Sequence, residues 1–221
     1  MTSSDGPGPV PMVATVGRGF ARATPDAARV SLEVWAELDT PDAAIDEVAR
    51  RSAALAEVFD ELDIPTGART TSDVSLTERW DHRRDEAVFR GYRAGAQIQV
   101  RVVDLRVVGR LVSRAAQRAQ ARPQGTAWEV DAANPARSEA CRLAAEDARR
   151  KAEAYATALE LRLGPVVSIR EPGARRPIGA RMMASGAGPM QPMEGSPDLS
   201  VEAGDVDITA TVEVVFRLET G

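Results

Sequence analysis

At 221 residues the chain is long enough to bury a substantial core, as one large domain or two small ones. A hydrophobic fraction of 43% and a charged fraction of 28% exclude wholesale disorder, and no uninterrupted apolar run approaches the roughly 18 residues that a membrane-crossing helix requires. The net charge of -5 argues against broad capture of nucleic acid, and the single cysteine, Cys141, excludes an intramolecular disulfide and a cysteine-based zinc site.

Met1 to Pro11 has neither a basic n-region nor an apolar h-region, so no export signal is read there and the expected location is the cytoplasm. Residues 1–12 are expected as a flexible N-terminus and 13–221 as a single domain. Val13 to Ala23 reads as a first strand in which Gly17 and Gly19 suggest a bulge or a close backbone approach. Ala28, Val30, Leu32, Val34, Ala36 and Leu38 alternate with polar neighbours, which predicts a second, half-buried strand paired with the first as a hairpin.

Asp39-Thr40-Pro41 supplies a cap and a first-turn proline for a helix running to about Leu62. A third strand is expected to end near Trp80, followed by a charged loop from Asp81 to Glu86 and a long fourth strand from Val88 to Val102, the two strands forming a second hairpin. Asp104 caps a second helix that stops at Pro123 and Gly125; a short strand follows around Trp128 and Val130. Asn134-Pro135 opens the longest helix, whose stripe of Cys141, Ala144, Ala145, Ala148, Ala152, Tyr155 and Leu159 ends at Gly164-Pro165. Val166 to Ile169 is a brief strand, residues 172–204 read as a mobile loop rich in Pro, Gly, Ser and Met, and Val206 to Leu218 closes the chain as a strand. The order ββαββαβαββ predicts an α+β fold of antiparallel hairpins with inserted helices.

Val16-Gly17-Arg18-Gly19, Pro25-Asp26-Ala27-Ala28, Leu62-Asp63-Ile64, Gly91-Tyr92-Arg93-Ala94, Val103-Asp104-Leu105 and the alanine-rich run from Ala144 to Ala156 before Leu163-Gly164 stand in the order found in the SIMPL domain family. The chain resembles that family over nearly its whole length. The resemblance implies an α+β domain of unknown function, relatives that assemble into large oligomers, and associations with envelope or stress biology. It supplies no catalytic residues, and many relatives look exported whereas no signal peptide is visible here.

No catalytic, cofactor-binding or metal-binding residue is assigned. His82, the only histidine, sits among charges of both signs and reads as a solvated hairpin position. Gly17-Arg18-Gly19 lacks the third glycine and the following helix of a dinucleotide loop. Cys141 reads as a small buried hydrophobe on the apolar face of the long helix. Met182, Met183, Met190 and Met193 read as part of the mobile loop, able to supply adaptable contacts rather than a copper site.

Charge carries the remaining signal. Arg106, Arg110, Arg114, Arg118 and Arg122 recur at steps of four, while the first helix region carries Asp39, Asp42, Asp46, Glu47, Glu57, Asp60, Glu61 and Asp63. These are read either as two solvated faces or as helices that meet, within one subunit or between copies. The expected function is therefore non-enzymatic self-assembly or protein binding through the charged helices and the methionine loop, with no cofactor, no nucleic acid and no membrane span. The competing readings are an enzyme built from dispersed carboxylates and arginines, and an anion-binding module using Arg106 to Arg122.

Overall fold

The computed structural model describes residues 10–83, 86–172 and 201–220, with backbone alone at 82, 83 and 86. Its elements follow the expected order: β1 (Met12–Ala23), β2 (Ala27–Leu38), α1 (Pro41–Glu61), β3 (Arg69–Arg83), β4 (Glu86–Val102), α2 (Val108–Ala119), β5 (Arg122–Glu129), α3 (Pro135–Ala158), β6 (Leu161–Arg170) and β7 (Val206–Thr220). The fold is α+β with antiparallel sheets. The chain divides into two compact units, one from the described parts of Met1–Thr24, Asp131–Met183 and Asp205–Gly221, the other from those of Pro25–Val130 and Ala184–Gly204.

In the first unit β1, β7 and β6 form an antiparallel sheet in that order, and α3 packs on it. Asn134 starts α3 by accepting the Ala136 N–H at its side-chain oxygen, 3.0 Å away, while Pro135 occupies a position whose missing N–H costs nothing. The helix is buried along one narrow row, Ala140, Ala144, Ala148, Ala152 and Ala156, each four residues after the last. Such small side chains let the helix lie almost on the strand backbone. A Cβ on Gly19 would stand 1.9 Å from the Ala140 carbonyl oxygen, so only glycine fits there. The two glycines of β1 mark this close approach and no bulge, because β1 pairs with β7 without interruption from Met12 to Ala23.

At the other long edge of β1, the strand and α3 are joined by hydrogen bonds. Asp147 accepts the Arg18 backbone N–H at 3.0 Å, Lys151 donates to the Val16 carbonyl at 2.8 Å, and the buried Thr15 hydroxyl donates to the Ala148 carbonyl at 2.8 Å. Two backbone groups that this edge strand would otherwise leave unpaired are thereby satisfied by a helix.

The second unit holds a four-stranded antiparallel sheet, β3-β4-β2-β5. The alternating residues Ala28 to Ala36 of β2 and Ala94 to Val102 of β4 turn one face to α1 and α2, where Leu55, Val58 and Phe59 of α1 and Leu111, Ala115 and Ala119 of α2 complete the core. Burial of each such Leu contributes about 1.5–3 kcal/mol. Thr40 caps α1 by accepting the Ala43 N–H at 3.3 Å.

Several boundaries differ from expectation. The first two strands do not pair as a hairpin: β1 lies against β7, and β2 lies between β4 and β5. Their alternation reports a buried face, which is compatible with any partner of matching period. The supposed loop from Asp81 to Glu86 is strand on both sides, with Asp81 opposite Val88 and Arg83 opposite Glu86. The second helix stops at Ala119, where Gln120 takes a left-handed conformation, so Arg122 and Pro123 open a strand longer than expected. The long helix ends at Ala158, and β6 continues past Gly164-Pro165 with a shift of its register against β7, an irregularity that an edge strand tolerates. Cys141 is exposed, because the helix seats on its alanine row alone. Most of 172–204, including Met182 and Met183, lies outside the described residues, as does the His82 side chain.

Candidate functional site

The acidic and basic helices meet inside the second unit. Glu61, in the last turn of α1, receives Arg118 at 2.5 Å and Arg114 at 3.3 Å, and Glu57 stands 3.9 Å from Arg118. The Arg118 hydrogen bond holds the Glu61 carboxyl below the ordinary carboxylate value. Asp60 pairs with Arg69 at 2.5 Å instead, while Asp42, in the first turn of α1, and Asp46 remain exposed.

The arginines at steps of four therefore do not act as one stripe. Arg106 lies in a one-turn 3₁₀ segment before α2 and folds back on Asp104 at 2.9 Å; that hydrogen bond, with the Arg106 N–H and the charge of nearby Arg110, keeps Asp104 below its ordinary value. Arg114 and Arg118 bridge to α1. Arg122 is on β5, where its guanidinium stacks over the Trp35 ring at 4.4 Å. Only the middle of the predicted stripe is a helix face.

Trp35 centres a polar surface that the charge pattern did not reveal. It is on the β2 face turned away from the helices, and Arg93 approaches its ring at 4.6 Å. Around it Arg79 pairs with Glu37 at 2.9 Å, Gln124 donates to Glu33 at 2.6 Å, and Arg51 donates to the Trp35 carbonyl at 2.5 Å. Glu47, which binds both Arg50 and Arg51, is depressed to about 2 by those hydrogen bonds. A shallow cavity of about 500 Å³ opens here, lined by Trp35, Ala36, Glu37, Arg51, Gln120 and Arg122. Each carboxylate in this group already has an arginine partner. Among the described residues no group of three or more His, Cys, Asp or Glu side chains is placed to hold a metal ion.

The β3–β4 hairpin of the second unit carries a long exposed stretch. Strand β2 accompanies β4 only from Tyr92 to Val102, so beyond Gly91 the two strands continue, among the described residues, as a two-stranded ribbon. Such a ribbon is marginal alone and is reinforced here by an edge-to-face ladder, Trp80 on Phe89 at 5.1 Å and Phe89 on Tyr92 at 5.3 Å. Strand β3 is the outer strand of its sheet, and every residue from Thr70 to Glu78 is exposed. Val74 is 73% exposed and Leu76 45% exposed, both on the helix side of the sheet, beyond the reach of α1. An edge exposed on both faces, with backbone groups along one side that pair with no other strand among the described residues, is a template for another strand.

The residues of this edge are spaced like any half-buried strand, and a period of two cannot say whether the apolar side is covered. The aromatic signal was present in Trp80, Phe89 and Tyr92, but the bulge that leaves Arg90 unmatched between Arg79 and Trp80 of the opposite strand is what brings the rings into one ladder.

A family profile matches residues 13–216, and the chain belongs to the SIMPL family, described as a protein of unknown function (DUF541). No curated protein matches the chain. No helix of the described residues is long and apolar enough to cross a membrane.

Proposed function

We propose that this chain works by binding protein, and chiefly by self-assembly, rather than by catalysis. The observation that carries the reading is the continuous exposure of β3 from Thr70 to Glu78 on a sheet edge that, among the described residues, pairs only with β4. Natural sheets cover, shorten or twist away such edges, and where they do not, strand addition is a recurrent mode of recognition. In the first unit Asp147 and Lys151 reach two backbone groups at the β1 edge, whereas β3 of the second pairs, among the described residues, with β4 alone. The charged helices, which the sequence offered as the contact surface, spend Glu57, Glu61, Arg114 and Arg118 within one unit and play a structural part.

The test is the molar mass by light scattering across a range of protein concentrations, at low and at high salt. The expected result is a mass that rises with concentration in the native chain and stays monomeric in the Val74→Lys/Leu76→Lys double variant. A native chain that is monomeric at every concentration overturns the reading.

A further inference from the structure

We infer that the cavity beside Trp35 in the second unit binds a small oxyanion, through a phosphate or carboxylate group gripped by the guanidinium groups of Arg122 and Arg51. The inference goes beyond the self-assembly reading and does not depend on it. The cavity forms where β5 begins. The chain leaves α2 at Ala119, Gln120 takes its left-handed conformation, and β5 meets β2 with Arg122 opposite Glu33. Past Glu33, β2 runs on to Leu38 without a β5 partner, and the Trp35 carbonyl accepts a hydrogen bond from Arg51 at 2.5 Å. The step between the two strands is the cavity of about 500 Å³, with Arg51, Gln120 and Arg122 in its wall.

Charge selects the occupant. Arg79 is matched by Glu37 at 2.9 Å, Arg93 by Glu33 at 3.5 Å, and Arg51 by Glu47 at 2.8 Å, a carboxylate that Arg50 shares. Arg122 makes no ion pair among the described residues; its guanidinium lies over the Trp35 ring at 4.4 Å. Five arginines therefore face three carboxylates in this network, a local excess of positive charge on a chain of net charge -5. Stacking on Trp35 orients the Arg122 group and leaves its N–H donors, which lie in the guanidinium plane, for an acceptor. Arg51 is held ready beside it: its side chain is only 17% exposed, and Nε and Nη1 are tied to Glu47 and the Trp35 carbonyl, while Nη2 has no partner among the described residues. Planar forks of this kind match the paired oxygens of phosphate and carboxylate groups.

Two features of the wall oppose an anion, and both are blunted. Glu37 is paired with Arg79 and stands 3.7 Å from Arg93. The C-terminal end of α2 carries partial negative charge, but its Ala115 carbonyl already accepts the Gln120 and Ala121 N–H groups. The expected affinity is accordingly modest. The anion-binding reading of Arg106 to Arg122 thus contracts to Arg122 alone, joined by Arg51, a residue outside the four-step series.

The test is equilibrium dialysis of the full chain at low salt against radiolabelled pyrophosphate and, separately, succinate. The expected result is one bound anion per chain, weakened on the order of tenfold in Arg122→Gln. Arg122 is exposed and pairs with no carboxylate among the described residues, so this variant should fold as the native chain does, which far-UV circular dichroism checks. Arg110→Gln, which removes the same charge from an exposed position of α2, should bind as the native chain does. Tighter binding of pyrophosphate assigns the site to a phosphate ligand, and tighter binding of succinate to a dicarboxylate; either result supports it. Binding that Arg122→Gln leaves unchanged, or that Arg110→Gln weakens equally, reports diffuse attraction and overturns the site. So does the absence of binding by both probes, and that outcome leaves the self-assembly reading, which rests on molar mass, untouched.

Discussion

Gly17 lies directly beneath Ala144: a Cβ at position 17 would stand 1.9 Å from the Ala144 carbonyl oxygen and 2.6 Å from the Ala148 nitrogen. Backbone cannot retreat as a side-chain tip can, so strand and helix are locked at a separation that one methyl group would break. Gly17→Ala should therefore destabilise the first unit by about 1–3 kcal/mol or more, the cost of overpacking a close-packed seam. Urea unfolding followed by far-UV circular dichroism reads the shift. A midpoint equal to the native chain's would show that the helix does not sit this close.

Asp147 is held below its ordinary value of 3.8, first by the hydrogen bond from Lys151 and then by the Arg18 N–H. A carboxylate depressed in the folded state contributes stability that is present above its unfolded value and is lost as pH falls through the lower folded one. Between pH 7 and pH 2 the native chain should lose more stability than Asp147→Asn, which has no charge to lose. Urea midpoints of both proteins at the two pH values test this, and equal losses would refute it.

Glu61 joins α1 to α2 through Arg114 and Arg118, so its substitution should be felt within the subunit. Glu61→Lys should lower the thermal midpoint, by repulsion from both arginines, and leave the concentration dependence of the mass unchanged. A change in mass with an unchanged midpoint would place the acidic and basic helices between copies instead.

Cys141 faces solvent on α3. Native protein should therefore react with a thiol reagent such as 5,5′-dithiobis(2-nitrobenzoic acid) at a rate close to that measured in urea. Strong protection in the absence of urea would mean that another surface covers this side of the helix.

The order of strands and helices was legible because each element carries its own period: two in Ala28 to Leu38 and Val206 to Leu218, near 3.6 in α1, with Thr40 and Asn134 as caps and proline behind each. Length limits were less legible where local chemistry pointed both ways. Gly164-Pro165 reads as a break, yet β6, an edge strand, takes it up as a shift of register against β7 and continues.

Arg122 shows the same limit in the candidate site. Its spacing from Arg118 continues a helix face, but the chain turns at Gln120 and delivers it to Trp35.

By itself the sequence determined the element types, the α+β class, the family and the opposite charges of α1 and α2, all of which follow from residues close together in the chain. Tertiary structure alone decided that β1 pairs with β7 and not β2, that one face of the long helix is reduced to an alanine row against glycine, and that Glu61 meets Arg118 within one unit. It also decided that α3 reaches backbone groups at the β1 edge while β3, among the described residues, pairs with β4 alone. Pairing and coverage depend on which distant segments arrive alongside, and a strand's period of two is the same whether its edge is satisfied or open.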